Sequence, residues 1–82
     1  EGMDYLTKEI VKLGLEQIPS QANFILIRVG DGEGVFNRLL RRGVIVRPMV
    51  GYNFPDYIRV TIGTMKENTR FISELRNIIK GH

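Results

Sequence analysis

The chain has no cysteine, only three prolines, and a single histidine at its last position. Without cysteine there is no disulfide framework and no thiolate metal site. His82 stands where chain ends fray or a tag remnant survives, so metal catalysis is nearly excluded. No apolar run approaches the ~20 residues that span a bilayer, and no charged-then-apolar leader is present, which sets the expectation of a cytoplasmic protein with no membrane partner. No histidine stands near a serine, and no carboxylate pair is poised in an apolar setting. A self-contained catalytic apparatus is therefore not visible, and the chain by itself is expected to catalyse nothing. Internal repeats and low-complexity tracts are also missing.

What remains is one domain, residues 1–82, with a hydrophobic fraction of 43% and a charged fraction of 26%, ordinary values for a folded globular chain. At this length a domain buries only ~60% of its unfolded surface, so its core must be thin. A net charge of +3 is modest, and the densest basic cluster, Arg38, Arg41, Arg42 and Arg47, is interrupted by apolar residues. Met3 stands third behind Glu1 and Gly2, and the expectation is a domain cut from a longer protein.

Asp4 is placed to cap a first helix in which Leu6, Ile10 and Leu13 recur at helical spacing, with Gly14 as its stop. After Pro19 and Ser20, the run Phe24 to Val29 is β-rich and nearly continuous, and Ser20 and Asn23 just before it read as turn residues. That run predicts an inner strand buried on both sides for part of its length. The segment Gly-Asp-Gly-Glu-Gly, 30–34, follows that strand and opens a helix. It lacks the lysine and hydroxyl of a phosphate loop, and Asp31 and Glu33 repel phosphate, so it reads as a turn with an acidic helix start. Val35, Phe36, Leu39 and Leu40 form one helical stripe, Arg41 and Arg42 suit the negative end of the helix dipole, and Gly43 suits the left-handed position beyond. Thr64-Met65-Lys66-Glu67 matches a capping box, so the last helix should begin at residue 65. Phe71, Ile72, Leu75, Ile78 and Ile79 give it a broad apolar stripe.

Between these helices lie two arginine-bearing strands. Alternation through Tyr57–Ile62 puts Ile58, Val60 and Ile62 on one face and Tyr57, Arg59 and Thr61 on the other. The same count from Val44 pairs Arg47 with Ile45, and Pro48 then denies the strand a further ladder donor. The order helix, strand, helix, strand, strand, helix predicts a two-layer α/β (α+β) sandwich: a small three-stranded, mainly antiparallel or mixed sheet with helices on one face. Its other face, carrying Arg59, is left for solvent, ligand or another domain. A guanidinium is a planar fork suited to carboxylate or phosphate, and two converging ones would make an anion seat. The plain alternative for each is a solvated arginine. Tyr52 and Phe54 in the loop between these strands either stack on a ligand ring or cover a core edge. A small RNA-binding module is a reading of another class, resting on the basic balance and the aromatic loop. Against nucleic acid, the exposed aromatics are not on strands and the basic residues are not concentrated on one element. An oligomerising regulatory domain is a further possibility.

The stretch Val-Ile-Val-Arg-Pro-Met-Val-Gly-Tyr-Asn-Phe-Pro-Asp-Tyr-Ile-Arg-Val-Thr-Ile-Gly-Thr-Met-Lys-Glu-Asn, preceded by Pro-Ser-Gln-Ala-Asn-Phe-Ile-Leu, resembles the C-terminal small domain of histidinol-phosphate aminotransferase, a fold-type I enzyme dependent on pyridoxal phosphate. The resemblance covers about residues 15–80, and its most specific block is Arg-Val-Thr-Ile-Gly-Thr. It implies that Arg59 binds the acidic end of the substrate, that Arg47 helps hold phosphate and carboxylate-bearing groups, and that Asn23 is structural. It also implies a homodimeric parent that exchanges histidinol phosphate and 2-oxoglutarate for imidazole acetol phosphate and glutamate through a lysine Schiff base with pyridoxal 5'-phosphate. None of Lys8, Lys12, Lys66 or Lys80 stands in a matching lysine motif. The catalytic lysine and the cofactor's other ligands are thus expected in a large domain of the same polypeptide, with no cofactor-binding residue here. Related aromatic amino-acid aminotransferases and threonine-phosphate decarboxylases share the anion-binding arginine and remain alternatives.

Overall fold

Alternation along the two longest strands divides the protein into a covered and an open side. In the computed structural model, which describes residues 2–19 and 23–80, these strands are β2 (Phe24–Arg28) and β4 (Tyr57–Thr61). Ile25 and Ile27 from β2 and Ile58 and Val60 from β4 are buried, while their odd-one-out neighbours are at least partly exposed. The buried set meets three helices: α1 (Gly2–Lys12), α2 (Gly32–Arg41) and α3 (Met65–Lys80). Leu6 and Ile10 of α1, Val35 and Leu39 of α2, and Phe71, Ile72, Leu75 and Ile78 of α3, together with Val46, complete the core. Burial of such stripes, rather than intrinsic propensity, holds helices this short in place.

The sheet has four antiparallel strands, one more than the sequence predicts, in the order β1-β2-β4-β3. The extra strand, β1 (Gln17–Pro19), is too short and too proline-bounded to announce itself by alternation. It forms by pairing with β2, Ile18 opposite Leu26, and Gln17 turns inward so that its Nε2 donates to the carbonyl of Thr7 on α1 at 3.1 Å. β2 is an inner strand as expected, but it is buried on one side only, since Phe24 and Leu26 on the far face stay half-exposed. Ser20, read as a turn residue, and His82 lie outside the described residues.

The opposite edge strand, β3, is only Arg47–Pro48. Pro48 does not end the ladder: Met49 N–H donates to the Tyr57 carbonyl at 3.2 Å. Hydrogen-bonded and non-bonded pairs alternate in an antiparallel ladder, so Pro48 occupies a position where no donor is required. Val44 to Val46 lie outside the strand, although Val46 is buried and Ile45 is exposed as the alternation requires.

Local signals fix the joints. α1 starts at Gly2, so Asp4 lies within its first turn instead of capping it, a position the helix dipole still favours. Asp31 caps α2, its Oδ1 accepting from Gly34 N–H at 3.1 Å. Gly32 is there for proximity: its N–H donates to the Pro55 carbonyl at 3.0 Å, and a Cβ would lie 2.5 Å from the Tyr57 carbonyl oxygen. The glycine-rich segment is thus a packing joint between α2 and the loop before β4. Gly43 takes a φ of 81° just past α2. At α3 both halves of the capping box form, Thr64 N–H to Glu67 Oε1 at 2.9 Å and Glu67 N–H to Thr64 Oγ1 at 3.2 Å. Buried Asn68 adds a second clamp, accepting from Gly63 N–H at 3.0 Å and donating to the Gly63 carbonyl at 3.2 Å. The segment just past β4 is therefore tied to the start of α3.

Candidate functional site

The antiparallel register stacks one row of side chains across the open face: Ile18, Leu26, Arg59 and Arg47, one from each strand. Arg47 and Arg59 are direct partners in that row, so the two arginines singled out by sequence come to the same face, side by side. Like charges directly opposite one another on a sheet are destabilising. Neither arginine takes part in an ion pair among the described residues. Arg47, on the edge strand, is exposed; Arg59, one strand inward, is half-buried. Its Nε is buried and has no hydrogen-bond partner among the described residues. A buried cationic donor without an acceptor costs free energy.

Sequence reasoning missed Phe24. It faces the open side opposite Thr61, and the Arg59 guanidinium carbon lies 4.7 Å from the centre of its ring. The alternation around Ile25 and Ile27 places Phe24 on that face, but only the pairing of β2 with β4 brings it to Arg59.

The other cations are committed or elsewhere. Arg28 shares the open face, but Glu16 at 3.3 Å and Asp56 at 3.5 Å neutralise it. The hydrogen bond and charge of Glu16, then the charge of Asp56, hold its guanidinium above its ordinary pKa. Arg42 pairs with Glu74 at 2.9 Å, Arg76 pairs with Glu9 at 3.3 Å, and Arg70 donates to the Arg42 carbonyl at 2.6 Å. Arg38 and Arg41 are exposed on α2, in the layer behind the sheet. The basic cluster noted along the sequence is therefore split between two layers, and Arg47 alone of its members stands beside Arg59 on the open face.

Tyr52 and Phe54 are exposed in the loop that follows β3, around the short 3-10 turn Val50–Tyr52. Phe54 meets the ring of Tyr57 edge-on at 5.6 Å. Two aromatics do stand on the strands' open face, Phe24 and Tyr57, but one contacts Arg59 and the other Phe54, so neither is a free platform for a base. A groove of about 440 Å³ lies away from the arginine pair, between Gly43–Val46, the end of β4 and α3. Its polar groups Glu67, Asn68 and Arg70 are spent on internal hydrogen bonds. No group of three or more metal-ligating side chains exists among the described residues, and no helix is long and apolar enough to cross a membrane.

Comparison with known proteins places this geometry in context. Residues 1–75 match the family described as Aminotransferase class I and II. A histidinol-phosphate aminotransferase of Methylobacillus flagellatus is 48% identical over 79 residues, which are 96% of this chain and 22% of the relative. One from Akkermansia muciniphila is 49% identical over 79 residues, with the same shares. The chain thus spans about a fifth of the length of these curated relatives. Among solved structures, the histidinol-phosphate aminotransferase from Clostridium acetobutylicum superposes with a TM-score of 0.85 at 25% identity, covering 99% of this chain and 26% of that one.

Proposed function

The chain belongs to aminotransferase class I and II, and on that premise we propose that residues 1–82 form the C-terminal small domain of a larger histidinol-phosphate aminotransferase, where Arg59 and Arg47 seat the substrate's anionic groups. The observation that carries this reading is the directly opposed arginine pair on the uncovered sheet face, without an acidic partner among the described residues and with Arg59 Nε unsatisfied. A phosphate or carboxylate bound on this face beside the two side chains would offset their mutual repulsion. The half-buried setting of Arg59 excludes part of the water that would screen this attraction, so Arg59 carries more of the binding than exposed Arg47.

Pyridoxal phosphate, the cofactor the family implies, supplies the electron sink for amine transfer when bound. The open face does not fit that cofactor: it needs a Schiff-base lysine, and all four lysines are on α1 and α3, in the layer behind the sheet. In this reading the cofactor belongs to a large domain elsewhere in the polypeptide, and the present residues act by positioning. They hold the phosphate of histidinol phosphate, or a carboxylate of glutamate and 2-oxoglutarate, so that the reacting amine is presented in one orientation. Errors of ~1 Å in such placement cost on the order of 100-fold in rate. A cytoplasmic enzyme of histidine biosynthesis accords with this role.

The test is steady-state kinetics of the full-length enzyme with histidinol phosphate. Arg59→Ala should raise KM strongly and Arg47→Ala less so. Equal KM values for the Arg59→Ala variant and the parent would overturn the assignment.

A further inference from the structure

An anion seat works only if its donors are held in one plane, and the structure shows little that holds Arg59. Its buried Nε has no acceptor, it has no ion-pair partner among the described residues, and its direct cross-strand neighbours are Leu26 on one side and another arginine on the other. Its guanidinium does meet the ring of Phe24. The register sets Phe24 opposite Thr61, one diagonal step from Arg59, and the side chain of Arg59 takes that diagonal so that its guanidinium carbon stands 4.7 Å over the ring centre. The opposite diagonal leads to Arg28, whose charge is already met by Glu16 and Asp56. Attraction to the ring face and repulsion from Arg47 thus act in the same direction.

We propose that Phe24 is a positioning residue for substrate: its ring sets the plane and lean of the Arg59 guanidinium before the anion arrives. The inference rests on the reading of Arg59 as an anion-binding group. A guanidinium lying on an aromatic face keeps its edge free, and the edge is where the donors that grip phosphate or carboxylate project. Leucine would fill similar space on the half-exposed strand face but lacks the electron-rich ring surface; tyrosine retains it.

The experiment compares Phe24→Leu, Phe24→Tyr and Arg59→Ala in the full-length holoenzyme, reading KM and kcat with histidinol phosphate and the Kd of inorganic phosphate by calorimetry. The expected result for Phe24→Leu is a rise in KM and in phosphate Kd of about 5- to 30-fold, the size that loss of a partly desolvated cation–π contact produces. Phe24→Tyr should restore KM to within about threefold. If Arg59→Ala raises KM and Phe24→Leu does not, the role of Phe24 is overturned while the anion seat stands. If Leu and Tyr variants lose affinity alike, Phe24 is packing only and the inference falls. If Arg59→Ala itself changes neither constant, the anion seat fails and takes the inference with it.

Discussion

Arg47 and Arg59 face each other directly across the β3–β4 ladder, two cations at the one register position where their side chains must leave the sheet on the same side. A fold selected for stability alone would pair one of them with a carboxylate. The arrangement is a local electrostatic cost, and function-bearing sites are where such costs persist.

That cost predicts a trade-off. Replacing Arg47 by threonine, which suits an edge strand and ends the like-charge contact, should stabilise the unliganded protein by roughly 0.2–1 kcal/mol while weakening anion binding. Urea unfolding of the parent and variant at low salt measures the first effect; a lower midpoint in the variant would contradict it. The gain should shrink as salt screens the exposed charge.

Charge alone should not replace geometry at Arg59. Lysine retains the positive charge but not the planar fork or the same contact with the Phe24 ring, so Arg59→Lys should stay about 10-fold or more above the parent in KM for histidinol phosphate. Full recovery of KM with lysine would show that a point charge is enough.

Two clamps at the start of α3 should differ in weight. Thr64→Ala removes one exposed cap bond and should cost about 1 kcal/mol. Asn68 is 2% exposed and bonds both backbone groups of Gly63, so Asn68→Leu should cost roughly 2–4 kcal/mol by leaving part-buried groups without partners. Chemical denaturation of both variants decides the order, and a larger loss for Thr64→Ala would refute it.

The glycines separate by space. At Gly32 an added Cβ would lie 2.5 Å from one backbone carbonyl oxygen and 2.8 Å from another, whereas at Gly51 nothing lies within 4 Å. Gly32→Ala should therefore destabilise by about 1–3 kcal/mol or more, as overpacking against backbone does. Gly51→Ala should stay within about 0.5 kcal/mol. Thermal melts of the pair provide the comparison.

Much of this architecture is legible along the chain because its signals are local. The capping box at Thr64 and Glu67, the stop at Gly43 and the alternation that turns Arg59 away from Ile58 and Val60 each depend on residues within a few positions of one another. β1 was not legible: Gln17, Ile18 and Pro19 have no alternation to count and become a strand only because β2 offers them an edge. Pro48 misled for a related reason, since whether a missing N–H matters depends on which ladder position the partner strand assigns to it.

Sequence alone determined which residues carry charge, which faces of helices and strands are apolar, and that the last two strands each present an arginine opposite a buried face. Only the tertiary structure decided that Arg47 lies across from Arg59, that Arg28 is neutralised by Glu16 and Asp56, and that Phe24 comes to rest against the guanidinium. The physical reason is that side-chain direction repeats every two residues within a strand, whereas strand register is fixed by contacts between segments far apart in the chain, where a shift of one residue would send the whole row to the other face.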